Sequence, residues 1–350
     1  MSPAVINEAP PSEKKLSLYE ASTQCRNWRY STERLAQIRA TLNEAAVTII
    51  RTKIETDEPG SSRNVSFLTP NEEVLLVKLY ISKIGQLCGY FRFPEEVEAT
   101  AITYMKRFYL QNTVMDWHPK NVMLTALFLA TKTTNNPISL EQYTTHIPKT
   151  TPNDVLDLEF LIAQSLGFEF AVWHAHRALW GIWLDIQNLP DGAALASAEY
   201  DAALARVRAS RLTDAELIYT PSQIALAAFS LVAPDSAARW ITLKNLSESA
   251  TLLAVLDEIK SMIAHQGLPP DVESVREVDR RLKLCKNPEK VVGSKAYLAR
   301  KKEEERIAEE KRTKKAELQK AAVNDEQDPF GTNLAPKKGL VDYDDDDDDD

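Results

Sequence analysis

At 350 residues the chain has room for two domains plus tails, and its three cysteines (Cys25, Cys88 and Cys285) are widely spaced and outside any C-x-x-C pattern, which argues against a disulfide framework or zinc site and for a reducing compartment. The formal net charge of −9 overstates the acidity of the body, because seven acids form the run Asp344 to Asp350; without it the charge is −2, poor footing for a nucleic-acid binder. No apolar run is long enough to span a bilayer, and no charged-then-apolar start reads as a secretory signal.

Residues 1–22, with Pro3, Pro10 and Pro11, show no period and are expected to be disordered at the start. Ser31 or Thr32 caps a predicted helix whose apolar stripe is Leu35, Ile38, Leu42, Ala45, Ile49 and Ile54, and Thr56 to Ser66 reads as a loop. Thr69-Pro70-Asn71-Glu72 is a capping box with proline at the first helical position, followed by Val74, Val77, Ile81, Ile84 and Cys88 on one face. Pro94 starts the next helix, with Val97, Ala101, Tyr104 and Phe108 in a row. Pro119 to Lys132 is the stretch that organises this half: from Val122 to Ala130 only Thr125 is polar, and a helix apolar all round is buried on every side. Ser139 caps a short helix to Ile147, and Pro152 opens another to Leu166.

A second buried-type helix begins at Pro221 (Ile224, Ala225, Leu226, Ala227, Ala228, Phe229), about 100 residues after Pro119. Helical patterns surround it at His174–Asn188, Ala194–Leu212 and Ser247–His265, with breaks at Pro190-Asp191-Gly192 and Pro234-Asp235. Pro269-Pro270 closes this half, and Val272, Val275, Val278, Leu282 and Cys285 give one more amphipathic helix. The predicted fold is all-α: a disordered start and N-terminal helix over 1–66, five-helix units over 67–170 and 171–268, and a C-terminal helix over 269–287. The charged tail over 288–350 reads as largely disordered or as a single solvated helix held by i,i+4 pairs from Lys295 to Lys320.

Specific motifs carry a family resemblance. Tyr104 to Leu110 (YMKRFYL), Leu127 to Lys132 (LFLATK), Leu158 to Leu161 (LEFL) and Leu166 to Phe170 (LGFEF) resemble segments of the cyclin box, the last as its strand-like exit. Lys106 to Met115 with His118-Pro119, Leu217 to Leu226, and Trp28 are similar to the cyclin H branch of that family, whose members are regulatory subunits of the CDK-activating kinase. The resemblance spans about Gln24 to Cys285. Two departures stand out: Thr133-Thr134-Asn135-Asn136 follows the lysine where many cyclins have acids, and Asn71-Glu72-Glu73-Val74-Leu75 replaces the substrate-docking pattern of cell-cycle cyclins.

The resemblance implies a non-enzymatic regulator with no catalytic, cofactor or metal residues of its own. Lys132 and Glu159 are then the anchors for a kinase, as donor and acceptor, with Leu129, Thr133, Ala163 and Phe170 forming the pocket beside them, while Arg107 and Phe108 brace the box. Read without the resemblance, Lys132 is a charged helix end suited to the macrodipole and Glu159 an exposed mid-helix acid. The implied partners are the kinase subunit, a RING-finger assembly factor and the transcription factor IIH core, in the nucleus, with no membrane and no direct nucleic acid. Two alternatives are a Mediator-type or elongation-type transcription cyclin, separable by the kinase that co-purifies, and a transcription factor IIB-like adaptor, separable by salt-dependent duplex binding. His174-x-His176 places its imidazoles on different faces if helical, so a metal site is not expected there.

Overall fold

Several helix starts in this chain are set by side chains that satisfy the first free backbone N–H groups. Thr69 accepts from the Glu72 amide while the Glu72 carboxylate accepts from the Thr69 amide, and the same reciprocal box recurs at Thr220 and Gln223, each time with proline at the first helical position. His118 caps the central helix through Nδ1, which accepts from Lys120 N at 3.1 Å. The computed structural model describes residues 16–57, 59–188, 197–244, 249–291 and 293–324, and its regular structure among these is helical, with no strand.

The first unit packs α3 (Pro70–Phe91), α4 (Glu95–Phe108), α5 (Pro119–Thr133), α6 (Leu140–Thr145), α7 (Asn153–Leu156) and α8 (Glu159–Ser165), preceded by α1 (Thr23–Asn27) and α2 (Thr32–Asp57). The second packs α9 (Ala175–Gln187), α10 (Ser197–Ser210), α11 (Ala215–Ile218), α12 (Pro221–Ser230), α13 (Pro234–Leu243) and α14 (Ser249–Gln266). Each unit is built round one walled-in helix: α5 touches α3, α4, α7 and α8, and α12 touches α9, α10, α13 and α14. Leu124, Leu127, Phe128 and Leu129 are all buried, each adding roughly 1.5–3 kcal/mol by leaving water. Then α15 (Val272–Cys285) lays Val275, Val278, Leu282 and Cys285 into the first core against α3, and α16 (Lys295–Asn324) packs its start on α2. By length and composition α3 would pass for a membrane span, but its Leu76, Val77, Ile81, Ile84 and Cys88 belong to the first core.

Several sequence expectations are corrected. The buried stripe of α2 is Leu35, Asn43, Ala46 and Ile50, while Ile49 is exposed; Asn43 takes the inward position because its Nδ2 donates to Leu68 O at 2.8 Å and Glu73 Oε1 at 2.6 Å. The helix expected from Pro152 to Leu166 is two helices, because the Val155 carbonyl turns to the central helix and accepts from Thr125 Oγ1 at 2.9 Å. Pro234-Asp235 does fall at a break, between α12 and α13, and it also opens α13, proline being well suited to a first helical turn. Leu166 to Phe170, expected to be strand-like, is a turn and irregular chain with no strand. Of the two readings of the charged segment, the helical one holds: Arg300 pairs with Glu304 at 2.8 Å and Arg306 with Glu303 at 2.6 Å and with Glu310. The expectations for residues 1–15, for the break at 190–192, for the helix starts at Ala194 and Ser247 and for the chain beyond Asn324 lie outside the described residues.

The two units are joined by charge buried on α4. Its apolar side faces the first core, and its other side carries Thr100, Thr103, Lys106 and Arg107, all buried. Lys106 Nζ donates to Thr213 O at 2.6 Å and pairs with Glu216 at 2.9 Å. At the other end of α4, Glu95 pairs with Arg208 at 2.6 Å and Arg211 at 2.7 Å, and Glu96 with Arg177 at 2.6 Å. Arg39 of α2 clasps Asp214 through two bonds of 2.7 and 2.8 Å; burial alone would raise the Asp214 carboxyl, but this clasp outweighs it and holds it below its usual range.

His174 precedes α9 with extended backbone, so its ring does not diverge from that of His176; the two stack at 5.2 Å. Burial, followed by the charge of Arg211, pulls His176 down to about 4, and burial followed by the neighbouring His176 holds His174 well below its usual value. Both are therefore neutral when folded and bind protons more readily when unfolded. Their contribution to stability is complete above about pH 6.5 and is lost as pH falls, for His176 through about 4.

Two outcomes follow for urea unfolding. Stability should decline progressively on acidification through that window, and His176→Gln should flatten the decline; an unchanged pH profile in the variant would count against the assignment. Glu216→Gln, which leaves the buried Lys106 ammonium with the Thr213 carbonyl but no counter-charge, should cost toward the low end of roughly 3–5 kcal/mol, and Lys106→Met with Glu216→Met should recover most of it.

Candidate partner-binding site

One end of the first unit combines an exposed ion pair with exposed aromatic rings. Lys132 lies in the last turn of α5 and Glu159 is the first residue of α8, not a mid-helix acid. The Val155–Thr125 contact that breaks the α7–α8 segment sets where α8 begins. Lys132 Nζ meets Glu159 Oε1 at 2.5 Å and lies 4.6 Å from the centre of the Phe128 ring, with the lysine side chain 42% exposed. An ion pair this open contributes at most about 1 kcal/mol to the fold, so both groups remain available to a partner at small cost.

The residues expected beside the pair divide by exposure. Leu129 and Ala163 are buried and act as floor. Thr133 turns its hydroxyl to the carbonyls of Leu129 and Ala130 at 3.1 and 3.3 Å, and Phe170 is half-buried against the first core. The exposed apolar area belongs to two residues that the sequence reading passed over, Phe160 at 70% and Phe168 at 56% exposure. Their rings meet edge to face at 6.1 Å, Phe168 meets Phe170 at 6.3 Å, and Phe170 meets Tyr104 at 6.1 Å. A signal for Phe160 was present: Leu158 and Ile162 mark the buried face of α8, so the residue between them must point away.

Phe168 is held outward by its backbone. It follows Gly167, and both are left-handed, at φ +58° for Phe168 and +59° for Gly167. The Phe168 amide donates to Ala163 O at 2.9 Å, closing the end of α8. A left-handed residue with a side chain costs roughly 1–2 kcal/mol. Tyr104, also passed over, ties the surface together from below. Its hydroxyl donates to Phe170 O at 2.7 Å and lies 2.9 Å from Thr133 Oγ1, and burial pushes its phenol up to about 12.

Arg107 and Phe108 lie behind this surface. Phe108 is fully buried and meets Tyr109 edge to face at 5.1 Å. Arg107 is 1% exposed; it donates to Glu169 O at 3.2 Å and sits 4.8 Å over the Trp28 ring, while burial, partly opposed by Glu216, pulls it down to about 10. Glu169 in turn accepts from Trp28 Nε1 and Asn27 Nδ2, both at 2.5 Å. The Phe168–Phe170 segment is thus clamped to α1 through the one residue between its rings. Among the described residues no group of three His, Cys, Asp or Glu could hold a metal ion.

Models of the cyclin N-terminal and C-terminal domains match residues 58–171 and 174–264. The chain is 33% identical to the cyclin mcs2 of Schizosaccharomyces pombe over 305 residues, covering 85% of this chain and 94% of that protein. It is 30% identical to Cyclin-H1-1 of Arabidopsis thaliana over 308 residues, covering 76% and 88%. Among solved structures, a chain of the CAK complex of Chaetomium thermophilum bound to ATP-gamma-S is 29% identical and superposes with a TM-score of 0.72, over 82% of this chain and 94% of that one.

Proposed function

The chain belongs to the cyclin family, and from that premise we propose that it is the regulatory subunit that binds and activates the cyclin-dependent kinase of a CDK-activating kinase complex. The observation that carries this is the juxtaposition of the Lys132–Glu159 pair with the outward-held Phe160 and Phe168. In such kinases a mobile helix supplies the glutamate that pairs with the phosphate-binding lysine, and its position gates activity. Shifting a kinase from mostly inactive to mostly active takes about 5.5 kcal/mol of differential affinity. At 70% and 56% exposure the two phenylalanines offer apolar area of roughly 250 Å², worth about 6 kcal/mol if wholly buried and before the costs of association. The rings therefore supply the affinity, and Lys132 as donor with Glu159 as acceptor sets register on the kinase helix. Leu129, Thr133, Ala163 and Phe170 support the rings.

The same reading makes the chain a non-catalytic partner in a nuclear assembly with a RING-finger factor and the transcription factor IIH core. Its output is phosphorylation of kinase activation loops and of the RNA polymerase II C-terminal repeats.

Co-expression with the kinase subunit of that complex, read by calorimetry and by phosphorylation of a polymerase-tail peptide, tests the proposal. Phe160→Ala with Phe168→Ala should cost at least about 2 kcal/mol of binding, and Lys132→Ala with Glu159→Ala should lower activation. Variants that bind and activate like wild type would move the contact elsewhere; a wild type that does not bind would end the kinase assignment. Phe168→Gly should separate the two roles of that residue, raising stability by up to about 1 kcal/mol through relief of the left-handed backbone while weakening the kinase complex.

A further inference from the structure

Helix α16 carries ten Lys and Arg against six Glu over Lys295–Asn324. Its acids are unevenly used: Glu303, Glu304 and Glu310 pair with Arg300 and Arg306. One turn further on, Lys311, Arg312, Lys314 and Lys315 are exposed and form no ion pair among the described residues. At 3.6 residues per turn these four cations share a sector of about 160°. Thr313 lies outside that sector and turns its hydroxyl back to the carbonyls of Glu309 and Glu310 at 3.1 and 2.9 Å. Lys311 stands three and four residues from Lys314 and Lys315, spacings at which like charges destabilise a helix. A basic face of this kind is relieved by an anion laid along it.

We infer that the acidic run Asp344 to Asp350 of the same chain occupies this face and withholds it from other polyanions. The charges are complementary, seven carboxylates against four cations. The reach is ample. Asp344 lies 20 residues past Asn324, a span of up to about 70 Å when extended. Lys311 lies 13 residues before Asn324, about 20 Å back along the helix. Attachment to the same chain gives the run an effective concentration that reaches the millimolar range for short linkers, an advantage a free polyanion lacks. Because the contacts are exposed, they weaken as salt shortens the range of charge interactions. The acidic run is thus an internal competitor, displaced by a ligand of higher charge density or by salt.

The full-length chain can be tested without any partner. Carbodiimide coupling, which joins amines only to carboxylates in contact, should link Lys311, Lys314 or Lys315 to the Asp344–Asp350 run at about 50 mM salt and fail to do so at about 500 mM. With a fluorescent heparin oligosaccharide as polyanion probe, replacing all seven aspartates by asparagine should tighten binding at least about tenfold. Adding Lys311→Gln, Arg312→Gln, Lys314→Gln and Lys315→Gln should abolish that gain. No coupling together with unchanged heparin affinity in the asparagine variant would overturn the inference. So would a gain that survives the four glutamine changes, since the run would then mask another surface.

Discussion

Two adjacent cations buried on α4 hold the molecule in one piece. Lys106 reaches forward to Thr213, just after α10, and to Glu216 in α11 of the second unit, and Arg107 reaches back to Glu169 and over Trp28. From one helical turn the N-terminal helix, the exit from the first unit and the α10–α11 junction of the second are all tied to the same backbone. Taking such charges out of water costs several kcal/mol each unless partners are placed to receive them. The partners come from three distant stretches of sequence, so the two cations meet them only when all three are in position, with Arg107 Nε left buried without a hydrogen-bond partner among the described residues. A cluster of Trp28, Leu35, Leu110 and Leu217 at the same seam supplies the apolar part.

That seam also shapes the partner-binding end. Glu169 alternates inward between the outward Phe168 and the half-buried Phe170, and its carboxylate is fastened to Trp28 and Asn27. With Glu169 pinned and the left-handed Gly167–Phe168 pair closing α8, the Phe168 ring has little choice but to face solvent. Tyr104 fixes the opposite edge through Thr133 and the Phe170 carbonyl. The surface is pre-organised by bonds beneath it, so a partner need not meet the ordering cost of a loose loop.

Much of this was legible from local chemistry. The capping boxes at Thr69 and Thr220, the prolines at 70, 119 and 221, and the all-round apolar stretch in α5 each have a cause within a few residues, and the structure shows them as helix starts and walled-in helices. The cyclin-like motifs placed Lys132 and Glu159 near one another, which spacing alone would not do, since 27 residues separate them. Where the reading slipped, a distant partner had intervened: Asn43 turned inward because Leu68 and Glu73 accept from it, and α7 stopped because Thr125 takes the Val155 carbonyl.

By itself, then, the sequence determined the helical class, most helix starts and the two buried helices, because caps, proline and hydrophobic period act over one or two turns. Tertiary structure alone decided which polar side chains go inside and which rings stay out. Lys106 and Thr103 on α4 look like solvated residues until Glu216 and Thr213 arrive from more than 100 residues away. Phe160 and Phe168 look like core until the helix faces are assigned. Burial of a charge depends on partners from other elements, and exposure of an apolar ring depends on which faces are already taken. Neither condition is local.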